Sequence, residues 1–190
     1  MSDKTNNNKW LTIPNIFSII RIMAVPVLIY IAYCGHPNLF IILAAIALST
    51  DAIDGYLARK LNQITTLGTT LDSVGDMVMY FTMPFCGWLL WPEMIMENIW
   101  YIVVLMIAFI VPMIAGLIKF GRMPSYHTWL AKSSTIYISI ATIIWFATKN
   151  VLLFKIAVLI QILVMIEYIA ITIRLKKWRG NIPSYWHVNK

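Results

Sequence analysis

The sequence reads Asp51-Ala-Ile-Asp54-Gly-Tyr-Leu-Ala-Arg59 and, after a short link, Gly68-Thr-Thr-Leu-Asp72-Ser-Val-Gly-Asp76. Four aspartates therefore lie within an otherwise apolar part of the chain. A carboxylate at the centre of a bilayer costs roughly 2.5–3.5 kcal/mol, so a membrane chain that keeps four of them needs a group that neutralises them. We expect a pair of divalent metal ions to be that group, and a chemical reaction to be the reason for binding them.

Composition indicates a membrane protein. Of the 190 residues, 60% are hydrophobic and 12% are charged, and the mean hydropathy is +0.76. Soluble domains carry about 25% charged residues. A membrane-spanning helix needs about 20 largely apolar residues, and six segments meet that condition: 13–34, 38–58, 69–91, 98–118, 129–148 and 151–173.

We therefore predict an all-α integral membrane protein with six transmembrane helices. A polar, amphipathic N-terminal segment covers residues 1–12, the six-helix domain covers 13–175, and a basic and aromatic cytoplasmic tail covers 176–190. The first apolar segment is long, contains Arg21 and lacks an A-x-A cleavage pattern, so we expect a helix rather than a signal peptide. The two cysteines, Cys34 and Cys86, form no metal-binding motif and are expected to be small packing residues.

The net charge of +7 is distributed as the positive-inside rule requires. Most basic residues fall on one side of the predicted helices: Lys4, Lys9, Arg59, Lys60, Lys119, Arg122, Lys132, Arg174, Lys176, Lys177 and Arg179. This placement predicts that both termini and the acidic cluster face the cytoplasm of a bacterial inner membrane. It argues against nucleic acid as a partner and favours contact with anionic lipid headgroups.

The spacing of the aspartates predicts two helical pairs. Asp51 and Asp54 are three residues apart, and Asp72 and Asp76 are four apart, so each pair shares one face of a helix. The link between them is short, which predicts antiparallel neighbours whose carboxylates converge near the cytoplasmic surface. Oxygen ligands of this kind suit Mg²⁺ or Mn²⁺, and two such ions about 3.5–4 Å apart are typical of phosphoryl displacement.

Small residues and one arginine accompany these pairs. Gly55 and Ala58 expose the backbone of the first helix, and Gly68 precedes the second pair. Small side chains allow helices and bulky ligands to approach the backbone closely. Arg59 adds a planar donor group that suits a phosphate.

The complete pattern, Asp-x-x-Asp-Gly-x-x-Ala-Arg followed by Gly-x-x-x-Asp-x-x-x-Asp, resembles the signature of the CDP-alcohol phosphatidyltransferases. All eight fixed positions are filled, which makes the motif specific. Pro14-Asn15 and Arg21 resemble the opening helix of that family, and six spans in about 200 residues match its usual size, so the resemblance covers nearly the whole chain.

The resemblance implies separate roles for these residues. Asp51, Asp54 and Asp72 would hold two divalent metal ions, and Asp76 would bind one of them and act as the general base. The CDP-linked lipid would be bound by Pro14, Asn15, Gly55, Ala58, Arg59, Thr65 and Gly68. The implied reaction transfers the phosphatidyl group of CDP-diacylglycerol to a polar alcohol and releases CMP within a lipid membrane, in a protein that could form a homodimer.

The acceptor alcohol is less sharply indicated. The segment from Asp54 to Lys60, with Leu67-Gly68, resembles the phosphatidylglycerophosphate synthase branch, which implies sn-glycerol 3-phosphate. That branch carries Asp-Pro-x-Ala-Asp-Lys where this chain reads Asp72-Ser-Val-Gly-Asp76-Met, so inositol phosphate, inositol or another alcohol remains an alternative. Three basic residues would bind a phosphorylated acceptor, or would be ordinary loop charges on the inner side: Lys119, Arg122 and Lys132.

Other interpretations of these residues remain open. A small divalent-ion transporter could use the same carboxylates, although transport sites are expected nearer the midplane. Arg21 either extends to the membrane surface or pairs with the acidic site. Glu167 either balances Arg174 or serves a neighbouring helix, and His127 is expected to be an interfacial hydrogen-bonding residue.

Overall fold

The computed structural model describes residues 13–60, 66–124, 126–180 and 182–188, with side chains described for 19–49, 74–124, 126–180 and 182–188. The elements, in chain order, are α1 (Ile13–Tyr33), α2 (Pro37–Lys60), α3 (Thr66–Leu90), α4 (Pro92–Glu97), α5 (Ile99–Phe120), α6 (Trp129–Thr148), α7 (Leu152–Arg174) and a 3₁₀ turn (Tyr185–His187). The described part of the chain contains no strand, which confirms the predicted all-α class.

The six predicted helices are present, and their ends lie close to the predicted ones. The largest difference is at α3, which begins at Thr66 rather than at residue 69. The sequence did not predict the short helix α4 or the 3₁₀ turn. Contacts divide the chain into a first unit, Met1–Met96, and a second unit, Glu97–Lys190.

In the first unit, α1 is the common packing partner of α2 and α3. Among the described residues, the main helix contacts of this unit join α1 to α2 and α1 to α3. The ends of α2 and α3 next to the link have no described side chains, so their predicted contact remains a prediction. α1 and α2 pack against each other, and each buries a small residue, Ala32 on α1 and Ala44 on α2. Cys86 is also buried, as predicted, whereas Cys34 is exposed.

In the second unit, α7 packs against both α5 and α6. Ser134 on α6 donates a hydrogen bond of 2.8 Å to Gln161 on α7, and both side chains are buried. Trp145 stacks on Phe154 with ring centroids 4.5 Å apart. The apolar interior therefore includes a polar contact whose donor and acceptor satisfy each other.

Within the described residues, the helices long and apolar enough to cross a membrane are α5, α6 and α7, and α1–α3 contribute shorter apolar stretches, Ile19–Tyr33, Pro37–Ser49 and Val74–Leu90. Large apolar side chains project from the longer helices: Ile107, Ile114, Leu163 and Ile166 are each about half exposed. Apolar exposure of this extent suits a lipid environment. The fold is thus that of a membrane protein.

The loop after α5 lies against a glycine of that helix. A Cβ atom at Gly116 would lie 2.6 Å from Cδ of Pro124, so the proline ring rests directly on the backbone of α5. Gly121 then ends the helix in the left-handed region, at φ 65°, and its N–H donates to the carbonyl of Leu117. Both glycines fix the direction in which the chain leaves α5.

Gly116→Ala is expected to lower the melting temperature of the detergent-solubilised protein. The added methyl group displaces the Pro124 ring, and overpacking of this kind typically costs about 1–3 kcal/mol. Gly75→Ala is the matched control, because its Cβ would meet atoms no closer than 3.6 Å, an ordinary contact. Equal melting temperatures for the two variants would contradict the assigned contact.

Candidate active site

The motif residues lie on two helices of the first unit. Asp51 and Asp54 lie towards the end of α2, and Asp72 and Asp76 lie in the first half of α3. The helical backbone keeps each pair on one face, as the spacing predicts. The side chains of Asp51, Asp54 and Asp72 lie outside the described set, so their convergence remains a prediction.

The predicted CDP-lipid contacts also lie outside the described side chains. Thr65 falls outside the described residues altogether. The other positions have described backbone only: Pro14, Asn15, Gly55, Ala58, Arg59 and Gly68. They remain predictions from the motif.

Asp76 is the one motif aspartate whose side chain is described. Its Oδ1 atom accepts a hydrogen bond of 3.0 Å from Nη1 of Arg21 on α1. The Arg21 side chain is 1% exposed and that of Asp76 is 34% exposed. Of the two alternatives left open for Arg21, pairing with the acidic site is therefore the observed one.

This ion pair joins α1 to α3, with Arg21 buried and Asp76 partly exposed. Breaking such a pair by removing one partner usually costs about 3–5 kcal/mol when both groups are buried, because the remaining charge loses its counterion. The partial exposure of Asp76 reduces that figure, since water stabilises an exposed carboxylate. The pair consequently fixes the register of α1 against α3 at the level of the motif.

The donor chemistry of the site fits a hard divalent cation. Carboxylate oxygens are the ligands that Mg²⁺ and Mn²⁺ prefer, and Asp76 offers one that is partly exposed. The described side chains contain no group of three metal-ligating residues, because the other three aspartates are outside that set. Asp51, Asp54 and Asp72 are the residues that would complete the ligand set with Asp76.

The three basic residues predicted for the acceptor lie at one end of the second unit, where α5 ends, α6 begins and α7 ends. All three are exposed. Lys119 Nζ donates to the carbonyl of Ile173 at 2.8 Å, the guanidinium of Arg122 lies 5.6 Å from the Trp178 ring centroid, and Lys132 Nζ lies 5.5 Å from that of Trp129.

A polar network at the same end ties the tail to the helices. Glu167 accepts a hydrogen bond of 2.7 Å from the Thr128 hydroxyl and one of 3.3 Å from the backbone N–H of Tyr185. Thr128 also caps α6, because its hydroxyl accepts from the backbone N–H of Ala131. Glu167 is therefore structural and links α7 to α6 and to the tail.

The backbone of the tail also pairs with the loop before α6. The N–H of Ile182 donates to the carbonyl of Tyr126, and the N–H of Trp129 donates to the carbonyl of Pro183. Tyr126 is fully buried and shares a hydrogen bond of 2.9 Å with Thr172. Burial raises the pKa of the Tyr126 phenol, and the hydrogen bond offsets this only in part, so the phenol stays neutral at pH 7.

Sequence reasoning missed these tail contacts. The only feature of the sequence that pointed to these contacts was Glu167, an acidic residue in an apolar span, and its partner was left open. Tyr185 and Ile182 carried no signal, because aromatic and apolar residues in a basic tail are also typical of a membrane interface. The basic loop residues thus sit on a framework that the tail helps to build.

The sequence model of one family, CDP-alcohol phosphatidyltransferase, matches residues 11–173. The chain therefore belongs to the CDP-alcohol phosphatidyltransferase family. The match includes both helices of the motif and extends over the second unit as far as the end of α7. No solved structure matches the chain significantly.

Several relatives match parts of the chain. A protein of Pseudomonas fluorescens named CDP-diacylglycerol–glycerol-3-phosphate 3-phosphatidyltransferase is 35% identical over 72 residues, which is 36% of this chain and 37% of that protein. One of the same name from Rickettsia bellii is 42% identical over 67 residues, 34% and 37% of the two chains. A Streptomyces coelicolor protein named cardiolipin synthase (CMP-forming) is 32% identical over 140 residues, 70% and 63%. Each match spans less than two thirds of the relative.

Thr128→Ala is expected to destabilise the second unit. The change removes the cap of α6, which typically contributes about 1 kcal/mol, and it also removes the hydrogen bond to Glu167. Thermal unfolding in detergent measures the loss, and Thr128→Ser, which keeps the hydroxyl, should melt close to the wild type. If the alanine and serine variants have the same melting temperature, the network does not stabilise this end of the protein.

Proposed function

We propose that this protein is a divalent-metal-dependent phosphatidyltransferase that moves the phosphatidyl group of CDP-diacylglycerol to sn-glycerol 3-phosphate and releases CMP. The observation that carries the proposal is the family match over residues 11–173, within which all eight fixed positions of the motif are filled. Two relatives named for a transfer to glycerol 3-phosphate support this acceptor.

In the proposed reaction the acceptor hydroxyl attacks the phosphorus that carries diacylglycerol. A new P–O bond forms, the P–O bond to CMP breaks, and CMP leaves with the electron pair. Asp76 takes the proton of the attacking hydroxyl, which is the role of a general base. Its ionised form, paired with Arg21 at 3.0 Å, is the form that can accept a proton.

The remaining motif residues bind the CDP-lipid and the metal ions. Asp51, Asp54 and Asp72 would hold two Mg²⁺ or Mn²⁺ ions together with Asp76, and bound ions of this kind would neutralise the charge of the diphosphate. Arg59 donates to a phosphate oxygen. The motif implies that the nucleotide and the diphosphate contact residues with small or compact side chains: Pro14, Asn15, Gly55, Ala58, Thr65 and Gly68.

We further propose that all six longer helices cross the inner membrane of a bacterium. In addition to α5–α7, the apolar stretches of α1–α3 support this number of spans. The basic residues at the ends of α5 and α7 support a cytoplasmic position for that end of the second unit. The lipid tails of the substrate then stay in the bilayer while the headgroup reacts at its surface.

For the acceptor phosphate we propose binding by Lys119, Arg122 and Lys132. Their exposure supports this assignment, because exposed cations remain available to an anion. A second acceptor, phosphatidylglycerol, is favoured by one observation, since the relative covering 70% of the chain is named cardiolipin synthase (CMP-forming). A cardiolipin-forming transfer would use the hydroxyl of a lipid instead of a soluble phosphate ester.

Purified protein in lipid is expected to release CMP from CDP-diacylglycerol when Mg²⁺ and glycerol 3-phosphate are both present. A screen with glycerol 3-phosphate, phosphatidylglycerol, inositol phosphate, inositol and serine identifies the acceptor by the phospholipid formed. Asp76→Asn should lower kcat by at least about a hundredfold, the contribution expected of a general base. Near-normal turnover in this variant would remove Asp76 from the assigned role.

Arg122→Gln is expected to raise KM for glycerol 3-phosphate by roughly tenfold, as loss of a charged hydrogen bond would, and to leave KM for CDP-diacylglycerol unchanged. Arg179→Gln, in the exposed tail, is the matched control for the loss of one positive charge. Equal effects of the two changes would show that Arg122 contributes only general surface charge.

A further inference from the structure

Arg21 is buried where its neighbours along the helix are exposed. It is the only charged residue of α1, and its side chain is 1% exposed, whereas Ile20 and Met23 are 53% and 64% exposed. An arginine that served only to reach the membrane surface would lie on the open side with those two residues. Arg21 instead directs its charge into the packed interior of the first unit.

The packing of α1 against α3 determines where the guanidinium lies. A Cβ atom at Gly75 would lie 3.6 Å from Nη1 and 3.7 Å from Cδ of Arg21, and 3.9 Å from Ile22. The arginine side chain therefore lies across the bare backbone of the helical turn that carries Asp76. The contact with Asp76 is set by the close approach of two helices as well as by opposite charge.

The Asp76 carboxylate is consequently held by Arg21 and also accessible to solvent. Nη1 of Arg21 binds Oδ1 at 3.0 Å, while about a third of the Asp76 side chain remains exposed. A carboxylate with these two properties can take a further ligand without first finding its orientation. Groups that hold a metal ligand in this way commonly contribute to metal affinity although they do not touch the metal.

We propose that Arg21 is a positioning residue for Asp76, which fixes the carboxylate in the orientation in which it takes up a divalent metal ion. The inference rests on the proposed function in taking Asp76 as a metal ligand, and it adds a residue outside the acidic motif to the site. A planar guanidinium donates in a fixed direction, whereas a lysine ammonium supplies the same charge without that geometry. The Arg21→Lys variant should therefore keep only part of the affinity for the metal ion.

The test is a double-mutant cycle on metal binding, read by the electron paramagnetic resonance signal of free Mn²⁺ with the full-length protein in lipid nanodiscs. Arg21→Met and Asp76→Asn should each weaken Mn²⁺ affinity by about tenfold or more, the range found for groups that orient metal ligands. The double variant should bind Mn²⁺ about as weakly as Asp76→Asn alone, because Arg21 acts through Asp76. Arg21→Lys should fall between Arg21→Met and the wild type.

Arg179→Met controls for the loss of one positive charge and should bind Mn²⁺ as the wild type does. An Arg21 effect that is equally large with and without the Asp76 carboxylate would overturn the proposal, as would unchanged affinity in Arg21→Met. If Arg21→Met does not fold, the Mn²⁺ affinities of the same cycle are measured with Arg21→Lys in its place. The cycle needs no turnover, so an absence of phosphatidyl transfer beside clear coupling would refute the proposed function and leave this inference standing.

Discussion

The ion pair between Arg21 and Asp76 is the constraint on which the first unit depends. An arginine that is 1% exposed within apolar helices has to have a counterion, and α3 supplies it one residue after Gly75, where the backbone is bare. The pair thereby links the opening helix to the acidic motif.

In the second unit, neutral and acidic side chains are likewise paired with partners inside the protein. Ser134 pairs with Gln161, Tyr126 with Thr172, and Glu167 with Thr128. In an apolar medium each polar group has to find its partner within the protein. These partners join α7 to α6 and to the loop before α6, and Lys119 at the end of α5 donates to the carbonyl of Ile173 on α7. The exposed basic residues proposed for the acceptor lie at this end of the unit.

The sequence predicted the helices well, because long apolar runs bounded by Pro, Gly and charged residues allow few alternatives. It also predicted the helical pairing of the aspartates, which depends on spacing alone. It left the partner of Arg21 open, since an arginine two turns into an apolar helix can reach the membrane surface or turn inward, and the packing of α1 on α3 decides. It missed the contacts of Tyr185 and Ile182, because those contacts join residues distant in the chain and have no local pattern.

Asp76, held by Arg21, is the residue that we propose as a ligand of a divalent metal ion. Anomalous diffraction from crystals grown with Mn²⁺ can locate that ion. We expect a manganese peak about 2.1 Å from a carboxylate oxygen of Asp76, with Arg21 still within hydrogen-bonding distance of the other oxygen. A peak coordinated by other residues alone, or a metal bound at Asp76 with Arg21 displaced from it, would show that Arg21 does not hold Asp76 for metal binding.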